Sequence, residues 1–364
     1  MMKEGKQGDT LEISFIGDVV PGGVLSYFRD EKAASEAVLG KLRQSDLVAA
    51  TLESPFGSSR SITRDKKNII FSPAKDFFRL KELNISIVSL ANNHILDVST
   101  TGFKTTLELL DKHGIHHCGA GMNIKEARKP AIIEVKGNKV GFLGYCKKNY
   151  RFVGKVHVAD NNSPGIAPLE KEMILEDISL AKEKCDLLYL MLHWGIEYTW
   201  LPPPQNLDMA KLFIDAGADG IIGGHPHRVQ PYRYYKGKPV FYSMGNFLFP
   251  NVIINPPRIL DYPAGINAGN YLELPEIRDY VEVQETSLRV WRKLSRIGMI
   301  ASLRIENGRI KRKVYYTFAH KYRSILSRLS SFYTIILRLF LFSLRYGIRL
   351  PVYRYIFHKI LKLN

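Results

Sequence analysis

Apolar residues in this chain come in short runs, and each run stops at a polar cluster. Leu11 to Ile16, rich in β-branched and aromatic residues, ends at Gly17-Asp18, and Leu47 to Leu52 ends at Glu53-Ser54-Pro55, where proline blocks regular continuation. The arrangement recurs as Ile85 to Leu90 before Ala91-Asn92-Asn93-His94 and as Leu187 to Leu192 before His193-Trp194-Gly195. It recurs again as Gly220 to Ile222 before Gly223-Gly224-His225-Pro226-His227. Between these runs, helical spacing predicts helices near Ala33–Arg43, Lys75–Glu82, Gly102–His113, Glu170–Lys184 and Leu207–Ala216. Strand and helix in alternation define a layered α/β domain, in which ligands gather at the carboxyl ends of the strands.

Two stretches break the alternation. Ile132 to Val135 and Lys139 to Tyr145 flank Lys136-Gly137-Asn138, while Ile300 to Ile305 and Arg309 to Phe318 flank Glu306-Asn307-Gly308; both predict antiparallel hairpins. Mixed pairing of this kind suits two packed sheets with helices outside. Pro250 to Ile277, rich in Pro, Asn and Gly, is expected to be a long surface loop or lid near the site.

The formal net charge of +17 changes this picture only at one end. Residues 1–306 hold 39 Lys and Arg against all 35 acids, whereas residues 307–364 hold 13 basic residues and no acid. Arg328, Arg338, Arg345 and Arg349 fall, at helical spacing, within an arc of about 100° opposite Leu, Ile, Phe and Tyr. That is the pattern of an interfacial helix drawn to an anionic membrane surface, and a helix packed on the protein's own sheet satisfies it equally. Its uncharged runs fall short of the ~18 residues that span a bilayer, and the strip is too apolar for a solvated arm, so nucleic acid is not an expected partner. The expected organisation is therefore a domain over residues 9–318 and a basic amphipathic helical tail over 319–364. Cys118, Cys146 and Cys185 lie far apart without C-x-x-C spacing and are expected to be core thiols. The polar start MMKEGKQGDT lacks the apolar stretch of a secretion signal, so a cytoplasmic domain is expected.

The polar clusters carry the chemistry. Imidazole, carboxylate and amide groups bind divalent ions when several are brought together from separate loops, and Asp18, Glu53, Asn93, His193, His225 and His227 each offer one donor. His225 and His227, two apart around Pro226, could diverge toward two neighbouring ions, which together would acidify a bridging water for attack on phosphorus or a carbonyl carbon. His94 would stand beside them as an acid or oxyanion stabiliser. Each residue alone has a plainer reading: a structural histidine, a helix cap at Gly17-Asp18, an Asx turn at Asn92-Asn93, a solvated carboxylate at Glu53. Their common placement at strand ends favours the metal site.

Taken in order, Gly17-Asp18-Val19, Leu52-Glu53-Ser54-Pro55, Ala91-Asn92-Asn93-His94-Ile95-Leu96-Asp97, His193-Trp194-Gly195-Ile196-Glu197-Tyr198, Ala216-Gly217-Ala218-Asp219, Gly224-His225-Pro226-His227-Arg228-Val229-Gln230 and Tyr242-Ser243-Met244-Gly245-Asn246-Phe247 resemble the signature of CapA-type proteins of poly-γ-glutamate capsule synthesis. That family looks like a branch of the calcineurin-like metallophosphoesterases. The resemblance implies a four-layer αββα sandwich and a two-metal site holding Mn, Fe, Zn or Ca. Carried over residue by residue, it implies Asp18 and His227 on the first metal, Glu53 bridging, Asn93, His193 and His225 on the second, and His94 as acid. It departs from the pattern at Val20, where the D-x-H histidine would stand, and at Thr51, where Asn usually precedes Leu-Glu. Many members carry an N-terminal membrane anchor, for which residues 321–364 are expected to substitute at the inner membrane face. Two functions stay open: a metal-dependent hydrolase acting on a phosphate ester or amide-linked polymer precursor, or a non-catalytic factor for capsular polymer assembly or export. Capsular polymer or its precursor, and other capsule-synthesis proteins, are the partners implied.

Overall fold

Parallel strands covered on both faces must be apolar along their whole length. The run LLYLMLH at Leu187–His193 meets that condition, and it forms a central strand buried at six of its seven positions. The computed structural model describes residues 10–28, 30–58, 69–150, 154–254, 274–277, 285–306, 309–320 and 323–326. From the N-terminus come β1 (Leu11–Val19), α1 (Glu36–Arg43), β2 (Leu47–Leu52), α2 (Phe78–Glu82), β3 (Ile87–Ser89), α3 (Ser99–Lys112) and β4 (His116–Cys118). The middle supplies β5 (Ala131–Val135), β6 (Asn138–Cys146), α4 (Lys171–Lys182), β7 (Leu187–His193), α5 (Pro204–Asp215), β8 (Gly220–Gly224), β9 (Tyr232–Tyr235) and β10 (Lys238–Phe241). The chain continues through β11 (Asn246–Leu248), β12 (Val252–Ile254), β13 (Ser287–Arg289), β14 (Ile297–Glu306), β15 (Arg309–His320) and β16 (Arg323–Leu326).

One sheet has the order β16-β15-β14-β1-β2-β3-β4, with β11 also paired to β1; the other runs β9-β10-β8-β7-β6-β5. Within them β1 to β4 are mutually parallel, as are β6, β7, β8 and β10, so two sets of strand ends point the same way along each sheet. Side chains from both sheets share one core, in which Ile13 and Phe15 of β1 meet Phe142, Tyr189 and Met191. The Phe15 and Tyr189 rings stand 4.9 Å apart there. On its other face the first sheet packs against Val38, Leu39 and Leu42 of α1, Leu80 of α2, and Phe103 and Leu110 of α3. The second sheet packs against Ile174 and Ile178 of α4 and Leu207, Ala210 and Phe213 of α5. Burial of such apolar faces contributes roughly 25 cal/mol per Å², which is why the periodic helices were legible in outline. Cys118, Cys146 and Cys185 are all buried and free of disulfides.

Both hairpins form, as β5–β6 and β14–β15. The Pro250 to Ile277 stretch is not loop throughout: Val252–Ile254 is a buried strand paired with β13, because three consecutive apolar residues find a partner strand. The first sheet also runs past residue 318, since β16 pairs with β15 from Thr317 to Leu326. The tail from residue 327 onward, with its expected interfacial helix, lies outside the described residues. Among the described residues no helix is long and apolar enough to cross a membrane.

Candidate metal centre

The strand ends converge at the junction of the two sheets. Asp18, near the end of β1, donates its N–H to Gly245 O at 3.0 Å and lies opposite Asn246 of β11. Glu53 directly follows β2, its N–H donating to Val19 O at 2.9 Å. The turn after β3 carries Asn93 and His94; Asn92 caps it, accepting from the His94 N–H at 2.9 Å and donating through Nδ2 to Leu52 O at 2.7 Å. His193 closes β7, and His225 and His227 follow β8. Both take left-handed backbone conformations, φ +91° at His225 and +51° at His227. Such geometry costs on the order of 1–3 kcal/mol per residue and persists where surrounding structure imposes it. All seven of these side chains are buried.

A carboxylate oxygen from each of Asp18 and Glu53 and a ring nitrogen of His227 lie within 4.8 Å of one another. The proton positions follow from the hydrogen bonds. Asn246 Nδ2 donates to Ser295 O at 3.0 Å, so its Oδ1 is the acceptor 2.9 Å from His227 Nδ1, and that nitrogen carries the proton. His227 Nε2 is then an acceptor facing Glu53 Oε1 at 3.6 Å, two lone-pair atoms turned toward each other in a buried site. Asp18 Oδ1 accepts no hydrogen bond among the described residues. A methyl on Gly224 would sit 2.5 Å from that oxygen, so only glycine leaves the carboxylate its position. Buried acceptors aimed at one point fit a divalent cation.

A second group adjoins the first. His193 Nε2 lies 2.8 Å from Asn93 Oδ1 and 3.8 Å from Glu53 Oε1, and its ring stands 4.9 Å from that of His225. His94 Nδ1 and Asp97 Oδ2 are 2.6 Å apart, and the same carboxylate oxygen accepts the Ile70 N–H at 2.6 Å. Asp97 thereby fixes the proton on Nδ1 and the orientation of the ring. Sequence reasoning did not assign roles to Asp97 or Asn246. Their signals were the i, i+3 spacing to His94 and the Gly-Asn pair preceding a short apolar run. Val20, at the position of the D-x-H histidine, is packed instead with Ile70, Phe249 and Trp291.

Burial governs the electrostatics. It pushes the Asp18 carboxyl up to about 7, against the lowering effects of the His225 N–H and of a hydrogen bond with Glu53. It pulls His227 down to about 3 and His225 well below the ordinary histidine value, with neighbouring histidines adding to the depression. The two rings are thus neutral, the form that binds a metal, while Asp18 holds a proton below neutrality that a cation must displace. Cation affinity is therefore expected to fall about tenfold per unit as the pH drops below about 7. Calorimetric titration with Mn²⁺ at pH 6, 7 and 8 measures this, and an affinity constant over that range would show that no such proton exists.

An α/β protein of two facing sheets, whose parallel strands end in one buried carboxylate and imidazole cluster, is the class these features define. The chain belongs to the bacterial capsule synthesis protein family PGA_cap, which it matches over residues 12–251. It is 33% identical over 246 residues to the PGA biosynthesis protein CapA of Bacillus subtilis (strain 168), covering 66% of this chain and 64% of that protein. The capsule biosynthesis protein CapA of Bacillus anthracis is 30% identical over 254 residues, covering 67% of this chain and 61% of the relative. The chain thus spans less than two thirds of the length of either relative. Among solved structures, the sulfate thiohydrolase SoxB of Thermus thermophilus is similar with a TM-score of 0.44 at 11% identity, covering 92% of this chain and 60% of that one.

Proposed function

We propose that this chain is a metal-dependent hydrolase of capsular polymer biosynthesis, acting on a phosphate ester or an amide-linked poly-γ-glutamate precursor. The convergence of Asp18, Glu53 and His227 within 4.8 Å carries the reading. These three would hold one divalent ion, and Glu53 would be shared with a second held by Asn93, His193 and His225. The 2.8 Å between His193 Nε2 and Asn93 Oδ1 suits two adjacent ligands of one ion as well as a hydrogen bond. A divalent ion at such a site supplies Lewis acidity toward a phosphoryl or carbonyl oxygen and acidifies water.

The rest of the chemistry belongs to the chain. Asp97 holds the His94 proton on Nδ1, so Nε2 is the atom that exchanges a proton with the leaving group or a substrate oxygen. The buried walls exclude water and strengthen every charge interaction inside. Asp97→Asn would remove the negative charge that holds this tautomer and turn one carboxylate acceptor into a donor. It is expected to lower kcat about a hundredfold with bound metal unchanged, as steady-state kinetics and metal analysis of the same sample would show. A kcat within twofold of wild type would remove His94 from the reaction.

Activity assays on Mn²⁺-loaded protein with a phosphodiester and with γ-glutamyl peptide bonds test the reading as a whole. The apolar surroundings of Val20 favour a second one, in which the pocket binds metal or polymer without turnover as part of an assembly or export factor. Bound metal with neither activity would select it. In both readings the basic residues 321–364 would hold the protein at the inner face of the membrane, bringing it to the polymer and to other capsule-synthesis proteins.

A further inference from the structure

The family match ends at residue 251, yet Trp291, well beyond it, lies against a candidate metal ligand. Pairing of β12 with β13, which sets Val252 opposite Arg289, carries the residues that follow back to the strand ends. Trp291 is fixed there twice over, its backbone N–H donating to Asn251 Oδ1 at 3.2 Å and its Nε1 to Pro250 O at 3.1 Å. The residue is 7% exposed, and its ring stands 5.1 Å from that of His227 and 4.8 Å from that of Phe249. Phe249 meets the His227 ring edge-on at 5.4 Å, and Tyr198 completes the group, 6.0 Å from His227 and 6.5 Å from Trp291. Arg289 ties Tyr198 to Trp291, its Nη2 donating to the Tyr198 hydroxyl at 2.6 Å and its guanidinium lying 5.2 Å from the Trp291 ring centre.

An imidazole held by one hydrogen bond still swings about that bond. For His227 the bond runs from Nδ1 to Asn246 Oδ1 at 2.9 Å, which fixes the tautomer and leaves the plane of the ring to be set by packing. A side chain locked among close neighbours keeps one rotamer instead of several. The need is greater here than with a full ligand set. Val20, where a further histidine ligand would stand, packs in the same apolar cluster as Trp291 and Phe249, and Asp18, Glu53 and His227 are the donors gathered at this point. With fewer donors, misplacing one forfeits a larger share of the affinity, and groups that orient a ligand change metal binding about ten- to a hundredfold.

We propose that Trp291 is a positioning residue of the metal centre: it holds the His227 ring in the plane that presents Nε2 to the cation, and so makes the segment after the family match part of the site. The consequence for the cation rests on the metal-centre reading above; the hold on the ring does not.

Mn²⁺ is titrated calorimetrically into the full chain as wild type, Trp291→Leu and Leu303→Ala, with thermal unfolding of each. Leu303 is buried in the core between the sheets, opposite Ile13 near the start of β1, so its truncation destabilises the fold without touching the centre. Trp291→Leu is expected to weaken Mn²⁺ binding about tenfold or more and Leu303→Ala to leave it within about threefold, although both lower the melting temperature. A loss under about tenfold in Trp291→Leu, or over about threefold in Leu303→Ala, overturns the proposal. If Trp291→Leu does not fold, Trp291→Phe decides: it keeps a ring without the Nε1 donor, and a loss of at least about threefold is expected, a smaller one being contrary. The metal-free protein gives a second readout by magnetic resonance of isotopically labelled histidines. The His227 Nδ1–H signal, assigned by its absence from His227→Gln, is expected to exchange slowly with water in wild type and Leu303→Ala and to broaden in the Trp291 variant. Equal exchange in wild type and both variants overturns the hold on the ring. A wild type that takes up no Mn²⁺ but whose Trp291 variant shows that broadening refutes the metal reading while supporting the positioning role.

Discussion

Glu53→Gln is expected to weaken cation binding by about a hundredfold or more while raising the melting temperature of the cation-free protein. The two effects have one cause. Glu53 is fully buried beside Asp18, and its Oε1 faces the His227 Nε2 lone pair at 3.6 Å. Without a cation, that concentration of acceptors is a strained arrangement kept for binding rather than for stability. Gln preserves the shape, removes the charge and adds two donors aimed among acceptors, so the empty pocket relaxes. At about 2–4 °C per kcal/mol for a domain of this size, a rise of a few degrees is expected in calorimetry without metal. Added Mn²⁺ should then raise the melting temperature of wild type only. A variant that melts below metal-free wild type, or keeps wild-type Mn²⁺ affinity, would show that Glu53 is an ordinary core carboxylate.

Gly223→Ala and Gly224→Ala differ by one position and are expected to fail in different ways. A methyl on Gly224 meets Asp18 Oδ1 at 2.5 Å and His193 Nδ1 at 3.4 Å, both side-chain atoms of the candidate centre. The carboxylate swings aside, the fold survives, and cation affinity drops about a hundredfold. A methyl on Gly223 meets Tyr242 O at 1.9 Å and Trp194 Nε1 at 2.7 Å, where the indole donates to that same carbonyl at 2.9 Å. Neither backbone can retreat without parting strands of the second sheet, so a destabilisation on the order of 4 kcal/mol or more is expected. Thermal unfolding together with metal titration separates the cases. If both variants lost stability equally, the pocket at Gly224 would be tighter than the geometry indicates.

The difference between these neighbours marks the limit of what the chain reveals on its own. Asp18, Glu53, His193 and the His225/His227 pair were legible because each stands where an apolar run stops, and parallel strands bring such stops to one edge. The helices were legible in outline through their apolar faces, although α1 begins only at Glu36 and Ala74–Phe77 is a 3₁₀ turn leading into α2. Pairing was harder to read. Val252–Ile254 finds its partner in Ser287–Arg289, across a separation that no local pattern encodes, and that same pairing carries Arg289 toward His227. Asn246 and Asp97 escaped assignment because their importance lies in orienting other side chains, a property of hydrogen-bond geometry rather than of residue type. The 1.9 Å approach at Gly223 is likewise a fact of packing between strands and leaves no trace in spacing.

The proposed hydrolysis depends on a cation bound among Asp18, Glu53 and His227. Elemental analysis by mass spectrometry of the full chain, purified natively and after incubation with Mn²⁺, Fe²⁺, Zn²⁺ or Ca²⁺, tests that dependence most directly when repeated on His227→Ala. At least about one tightly held ion per wild-type chain is expected, and its loss from the variant. Wild-type protein holding no ion under any of these conditions, or a variant holding as much as wild type, would contradict it.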